Sequence, residues 1–215
     1  MTPREFLGSA AVPGGQELML YRRGSDFMIV LDRNELMSSR MSGSEKALAL
    51  MTIERLAGRK APHLLIGGYG MGFTLRAALG VLGQDARITL AELVPEIIDW
   101  ARGPMAELAN GCLDDPRVDL MMGDVVPVIA AGRACYDAIL LDVDNGPDGL
   151  TAAANDRLYS ATGLAAAPDL PSMKSPCARA TMARGHAMSS GLHKSVEHAG
   201  LKRSVQPGHR DKNRH

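Results

Sequence analysis

Aromatic side chains are scarce in this chain of 215 residues, at 4% of the total. This scarcity argues against a nucleic-acid-binding surface built from stacked rings. Net charge is missing too, because 24 lysines and arginines balance 24 aspartates and glutamates, so no global field attracts nucleic acid or an acidic membrane. No stretch of about 18 consecutive apolar residues occurs, and the sequence therefore predicts no membrane-spanning helix.

Cysteine is also rare, and its three copies, Cys112, Cys135 and Cys177, are widely spaced and form no CxxC pair. This pattern fits a reducing compartment better than a disulfide framework or a structural zinc site. The histidines show no metal-ligand spacing with carboxylates, so we predict no metal site. The N-terminal residues carry prolines and a glycine pair instead of the apolar core of a signal peptide, and we expect a cytoplasmic protein.

The bulk composition is that of a globular protein, with 46% hydrophobic and 22% charged residues. We divide the chain into a small N-terminal β unit at 1–40, a nucleoside-binding domain at 41–167 and an atypical basic segment at 168–215. In the first part, apolar runs at 17–21 and 27–31 flank turn-forming residues and predict two strands.

The central part alternates short apolar strands with helical patterns. Strands that are apolar on both faces and separated by helices indicate a Rossmann-like α/β fold with a doubly wound, mostly parallel sheet. Such a sheet binds its ligand at the carboxyl ends of the strands. A helix capped by Ser42 or Ser44 and ending at Gly58 precedes it. The predicted strands are 63–66, 87–91, 118–122 and 138–141, and the predicted helices lie around 74–82, 95–109 and 125–131.

The last part of the chain loses this pattern. Residues 168–191 hold several prolines and serines and few branched aliphatic side chains, and residues 151–215 carry ten lysines and arginines against four acidic residues. A basic segment with few apolar residues is more often a solvated tail than a binding domain. One short helix is predicted around 192–201.

A glycine cluster follows the first strand of the central part, as Gly68-x-Gly70-x-Gly72. Glycines there let the chain turn sharply and bring its backbone against a ligand. The nicotinamide fingerprint Gly-x-Gly-x-x-Gly does not fit, since Phe73 occupies its third position. The spacing is typical of folds that bind S-adenosylmethionine, although a glycine cluster between a strand and a helix also occurs for packing alone.

Acidic residues follow the next three predicted strands. Glu92 closes the second strand, where a carboxylate can accept hydrogen bonds from both ribose hydroxyls; a helix-capping role is the alternative. Asp124 can accept from an adenine amino group or cap the helix that begins at Val125. Asp142 and Asp144 follow the fourth strand, where the reacting group is expected, although residues 144–147 are also strong turn formers.

Taken in order, five segments resemble the spermidine synthase-like branch of the S-adenosylmethionine-dependent transferases. The resemblance covers residues 15 to 165 approximately. It implies that Glu92 holds the ribose, Asp124 the adenine and Asp142 the reacting amine region. The segments are IGGYGMGFTLR at 66–76, LAELVPEII at 90–98, DPRVDLMMGD at 115–124, YDAILLDVDNGP at 136–147 and LYS at 158–160.

This resemblance defines the predicted site residues. Glycines 68, 70 and 72, with Glu92, Asp124 and Val125, are assigned to binding S-adenosylmethionine or its decarboxylated form. Asp142 and Asp144 are assigned to catalysis, by taking a proton or stabilising charge. The implied partner is a small-molecule acceptor, no membrane or nucleic acid is expected, and relatives of this kind commonly form homodimers.

Departures from the family pattern concern the amine half of the site. Polyamine aminopropyltransferases of this pattern carry Gly-Gly-Gly-Asp-Gly-Gly in the loop, whereas Gly70 or Met71 stands here at the position of that Asp. Their Tyr-His pair is missing from 44–47, and their Asp-Ser-Ser-Asp-Pro loop is shortened to 142–147. A polyamine cation needs several carboxylates to replace its water.

These departures lead us to expect methyl transfer from S-adenosylmethionine to a small molecule. Aminopropyl transfer from decarboxylated S-adenosylmethionine is the second interpretation, and a non-catalytic nucleoside-binding protein is the third. A nucleic-acid methyltransferase that uses the basic tail is the last of the four. Because the family's fifth strand is not recognisable, we also expect 168–191 to leave the sheet with an unpaired edge.

Overall fold

The N-terminal part of the chain forms an antiparallel sheet whose four strands follow one another in space as they do in sequence. The computed structural model describes residues 2–13, 15–131 and 135–142 together with the backbone of 181–184. The two predicted strands are present, and each is flanked by a further strand. The strands are β1 (Glu5–Ala11), β2 (Glu17–Arg23), β3 (Asp26–Leu31) and β4 (Asn34–Ser38).

The two outer strands escaped the sequence analysis because neither alternates clearly between apolar and polar residues. In β1 the register shifts between Phe6 and Gly8, and β3 and β4 shift register between Ile29 and Val30. Such irregularities break the two-residue period on which strand prediction depends. Asp32, at φ +53°, makes the tight turn into β4.

The central part forms a five-stranded parallel sheet in the order β7-β6-β5-β8-β9, as the sequence pattern predicts for a doubly wound α/β fold. From β5 the chain adds β6 and then β7 on one side of the sheet. Strands β8 and β9 then lie on the other side of β5. The order therefore reverses between β5 and β8, where open α/β sheets bind their ligands. The strands are β5 (His63–Gly67), β6 (Arg87–Glu92), β7 (Val118–Met122), β8 (Ala138–Leu141) and β9 (Thr181–Arg184).

Strand β9 corrects the expectation that 168–191 leaves the sheet edge unpaired. Its backbone pairs in parallel with β8, from Ala138 opposite Thr181 to Leu141 opposite Arg184. The four residues Thr-Met-Ala-Arg are too short and too little β-branched to be recognised as a strand from sequence. The predicted short helix around 192–201, the rest of 168–215 and the boundary at 167 lie outside the described residues.

Helices connect the parallel strands and cover the sheet. Ser42 precedes α1, but neither its side chain nor that of Ser44 caps the helix, and the latter donates to Glu45 Oε2 instead. The single helix predicted at 95–109 is two helices, because the chain turns at Gly103. The helices are α1 (Gly43–Arg55), α2 (Phe73–Leu79), α3 (Pro95–Arg102), α4 (Ala106–Ala109) and α5 (Val125–Ala131), and Cys112–Asp114 forms a 3-10 turn.

The two sheets share one hydrophobic core. Leu20 and Ile29 of the N-terminal sheet belong to the same buried cluster as Leu64 and Leu90 of the parallel sheet. A smaller cluster on the opposite face of the parallel sheet includes Leu65. The N-terminal sheet is thus fixed against the parallel sheet by buried apolar contact, which brings β4 beside the glycine loop.

Candidate functional site

Backbone hydrogen bonds join the carboxyl ends of four parallel strands. The N–H of Gly68 donates to Ala91 O at 2.8 Å, and the N–H of Gly123 donates to Glu92 O at 2.7 Å. On the other side, the N–H of Asp142 donates to Gly67 O at 2.9 Å. The fold therefore brings the glycine loop, Glu92, the Gly123-Asp124 turn and Asp142 to one edge of the sheet, as the sequence analysis expected.

The glycine loop requires glycine for backbone reasons. Gly68, Gly70 and Gly72 have φ values of +88°, +54° and +74°, in the left-handed region that disfavours other residues. A Cβ on Gly72 would lie 2.6 Å from the hydroxyl of Tyr69. A Cβ on Gly70 would lie 2.6 Å from Cε of Met37, a residue of β4. The loop therefore packs closely against its own Tyr69 side chain and against Met37 of the N-terminal sheet.

Glu92 is buried, with 6% of its surface exposed, and both of its carboxylate oxygens bind backbone. Oε2 accepts from the N–H of Tyr69 at 2.7 Å and Oε1 accepts from the N–H of Val94 at 2.8 Å. Burial raises the pKa of this carboxyl, while these amide hydrogen bonds oppose the rise. Glu92 thus ties the glycine loop to the end of β6, and the amides of Leu93 and Gly70 also act on this carboxylate.

Asp124 is exposed at the end of β7, and its Oδ1 accepts from the N–H of Val126 at 2.9 Å. This bond caps the start of α5, the alternative role that its position suggested, and Oδ2 makes no hydrogen bond within the described part of the chain. Val125 is buried: its Cγ2 would lie 3.0 Å from a Cβ on Gly67. Val125 therefore packs under the loop in the smaller hydrophobic cluster.

Asp142 is half-buried at the end of β8, and its Oδ2 accepts from the hydroxyl of Thr74 at 2.6 Å. Burial and the nearby Glu45 carboxylate raise the pKa of Asp142 to about 6, while the Thr74 hydrogen bond lowers it. Its carboxyl therefore changes charge close to neutral pH, as a proton acceptor requires. Asp144, the second predicted catalytic residue, lies outside the described residues.

Three exposed apolar side chains lie on this edge of the sheet near Asp124. Leu93 is 43%, Met122 48% and Val126 38% exposed. Apolar surface exposed next to carboxylate acceptors is typical of a small-molecule site that a flat ring covers. No group of histidine, cysteine and acidic residues suited to a metal ion occurs within the described ranges.

The sequence analysis missed Thr74 and Met37 as site residues. Thr74 is a buried residue in the first turn of α2, two residues after the last glycine of the loop. A hydroxyl at that position could have been recognised from the sequence. Met37 offered none, because its contact with Gly70 depends on how the N-terminal sheet packs on the loop.

A doubly wound parallel sheet with a glycine loop and acidic strand ends places the chain among the Rossmann-like α/β proteins, which bind their ligands at this edge. The match to the spermine/spermidine synthase domain family narrows the class, since residues 48–166, more than half of the chain, fit that family's model. The chain belongs to the spermine/spermidine synthase domain family.

Curated relatives carry the name polyamine aminopropyltransferase. Polyamine aminopropyltransferase 1 of Streptomyces coelicolor is 37% identical over 103 residues, which is 46% of this chain and 18% of the relative. The polyamine aminopropyltransferase of Corynebacterium efficiens is 31% identical over 148 residues, 67% of this chain and 27% of the relative. The chain thus spans about a quarter or less of the length of these relatives.

Solved structures share the fold at low sequence identity. A spermidine synthase in complex with the transition-state analogue AdoDATO superposes with a TM-score of 0.58 at 19% identity, covering 75% of this chain and 51% of that one. Spermidine synthase from Thermotoga maritima gives a TM-score of 0.55 at 19% identity, over 67% of this chain and 49% of that one. Within the described residues, no helix is long and apolar enough to cross a bilayer.

Proposed function

We propose that the chain is a transferase that moves an aminopropyl group from decarboxylated S-adenosylmethionine to a small amine. The observation that carries this proposal is the half-buried carboxylate of Asp142, which lies at the same sheet edge as the glycine loop and Glu92. A carboxylate there can bind a cationic amine and accept its proton. The family and the names of the curated relatives support the same activity.

The methyl transfer favoured in the sequence analysis has no support among these relatives. It was inferred from the residues missing in the amine half of the site. The absence of those residues argues less strongly against aminopropyl transfer, because Glu45 of α1 provides a carboxylate that acts on Asp142. Glu45 lies within the segment 44–47, but the sequence alone did not reveal that it lies close to Asp142.

The residues present fit the nucleoside part of such a donor. Asp124 Oδ2 makes no hydrogen bond within the described residues and can accept one, and Glu92 lies at the neighbouring strand end. Leu93 and Met122 expose apolar surface that a purine ring can cover. When bound, the donor supplies a carbon activated by a positive sulfonium. The same carboxylates that hold its hydroxyls and amino groups also favour that positive charge.

Asp142 performs the proton step in this proposal. An amine acceptor arrives as an ammonium ion at neutral pH and becomes a nucleophile only after losing a proton. The carboxylate of Asp142, with Oδ2 held by Thr74, accepts that proton. The remaining work is alignment of the acceptor nitrogen, for which a carboxylate fixed at a strand end is well suited.

The test incubates the purified protein with either donor and a panel of linear diamines, and follows the nucleoside product by mass spectrometry. Methylthioadenosine formed only with decarboxylated S-adenosylmethionine supports the proposal. S-adenosylhomocysteine formed from S-adenosylmethionine would instead establish methyl transfer, and donor binding without product would favour the non-catalytic interpretation. Asp142→Asn is the matched variant, since it keeps the shape and removes the proton acceptor.

The homodimer and the cytoplasmic location stay predictions. Sedimentation of the purified protein tests the first of them. Neither is needed for the proposed activity, since the residues that carry it belong to one chain.

A further inference from the structure

Thr74 is a buried hydroxyl whose hydrogen bonds reach the site. It is 1% exposed, so water cannot satisfy it and its polar atom is committed to protein partners. Its Oγ1 lies 2.6 Å from Asp142 Oδ2 and 3.5 Å from the carbonyl oxygen of Glu45. A hydroxyl has one proton to donate, and the shorter distance and the negative charge both favour Asp142.

We propose that Thr74 is a positioning residue for the transfer reaction, one that holds Oδ2 of the Asp142 carboxylate and leaves Oδ1 to take the proton of the acceptor amine. This inference rests on the proposed function. The geometry that carries it joins three elements: the end of β8 bears Asp142, the first turn of α2 bears Thr74, and the first turn of α1 bears Glu45.

The hydroxyl also suits both charge states of the carboxyl. When Asp142 is ionised, Thr74 donates to it. When Asp142 carries the proton on Oδ1, Oδ2 is a carbonyl oxygen that still accepts from Thr74. The carboxyl therefore stays in one orientation while it gains and loses the proton.

Within the described residues, few other groups lie around Asp142. On β5 the neighbour is Gly67 and on α2 it is Thr74, neither of which titrates. The charged side chain that acts on Asp142 from the described part of the chain is Glu45 of α1, whose Oε2 accepts from Ser44. Loss of the Thr74 hydroxyl leaves that repulsion unopposed, and the ionised form of Asp142 becomes less stable.

The experiment compares Thr74→Val, which has the same shape without the hydroxyl, with Thr74→Ser, which keeps the hydroxyl and loses the methyl. The carboxyl resonance of Asp142, assigned by its loss in Asp142→Asn, is titrated by NMR in the full chain. We expect the midpoint to rise by about one pH unit in Thr74→Val and to return to the wild-type value in Thr74→Ser. Thr74→Ala is a second variant without the hydroxyl, should the valine protein not fold.

The pH profile of aminopropyl transfer gives the second measurement. Its acidic limb should move upward in Thr74→Val by the same amount as the NMR midpoint, and Thr74→Ser should restore it. A midpoint unchanged in both hydroxyl-free variants overturns the inference. An equal change in the valine and serine variants overturns it as well, because the change would then not depend on the hydroxyl. If the wild-type protein transfers nothing, the proposed function fails, and the NMR titration still decides whether Thr74 positions Asp142.

Discussion

The carboxylate of Glu92 binds the backbone N–H of Tyr69 at 2.7 Å, so the acidic end of β6 fixes the glycine loop that follows β5. The residue assigned to the ribose is thus also a structural clamp for the loop. Four backbone N–H groups already act on this carboxylate, so a ribose hydroxyl would share an oxygen with one of them. A substitution at Glu92 therefore affects stability as well as binding.

Glu92→Gln tests both roles. The glutamine amide group replaces one acceptor oxygen with a donor, so the N–H of Tyr69 or of Val94 loses its partner. We expect the free energy of unfolding to fall by about 1–3 kcal/mol, and the free energy of donor binding to weaken by a similar amount. Urea unfolding and calorimetry measure the two effects, and Glu107→Gln on an exposed helix is the matched control. Unchanged donor affinity would count against a ribose contact.

Gly70→Ala tests the contact between the glycine loop and the N-terminal sheet. Alanine in the left-handed φ region should by itself lower the free energy of unfolding by about 1–2 kcal/mol. Gly58→Ala is a control for that cost, because Gly58 has φ +86° and open space where its Cβ would lie. The free energy of unfolding should fall slightly more in Gly70→Ala than in Gly58→Ala, because the Met37 side chain must move. In a Met37→Ala background this difference between the two glycine variants should disappear. Equal costs at the two glycines would show that Met37 does not restrain the loop.

Asp142→Asn is expected to stabilise the protein at neutral pH. The pKa of Asp142 is about 6 in the folded chain against an ordinary value of 3.8, so the folded state binds its proton more tightly than the unfolded state. The group therefore lowers the free energy of unfolding as pH rises between these two values, with the full cost above the folded pKa. Asparagine removes a cost of about 3 kcal/mol at neutral pH and still accepts from Thr74.

Chemical unfolding across the pH range measures this gain. The two proteins should have similar free energies of unfolding below pH 3.8, should diverge as pH rises from there to about 6, and should keep a constant difference above it. Asp99→Asn, a change to an exposed aspartate, should show no such divergence. A variant less stable than the wild type at neutral pH would contradict the assigned direction of the pKa shift.

The pairing of β8 with β9 is testable by hydrogen exchange. Strand β8 has a neighbour on each side, so truncation after residue 167 removes β9 and frees backbone groups of β8. We expect faster amide exchange at Ile139 and Leu141 and no change in β7, which lies at the opposite end of the sheet. Identical exchange in β8 of both proteins would restore the expectation of an unpaired edge.

Much of the parallel sheet was predictable because its strands are locally marked. The predicted strands 118–122 and 138–141 coincide with β7 and β8, and the other two differ by one residue at their ends. Each is a short apolar run bounded by polar or turn-forming residues, a pattern that needs no knowledge of the fold. Strand β9 has no such signal, since only its pairing with β8 makes it a strand.

The sequence by itself determined the alternation of strands and helices, and with it the edge at which Gly68, Glu92, Asp124 and Asp142 meet. That follows because all strands of a parallel sheet end on the same side. Only the tertiary structure determined the contacts, the burial and the pKa values of those residues. The contact of Thr74 with Asp142 spans 68 residues, and it depends on helix packing that local patterns do not encode. The burial of Glu92 and the raised pKa of Asp142 arise likewise from the neighbours that folding places around each carboxyl.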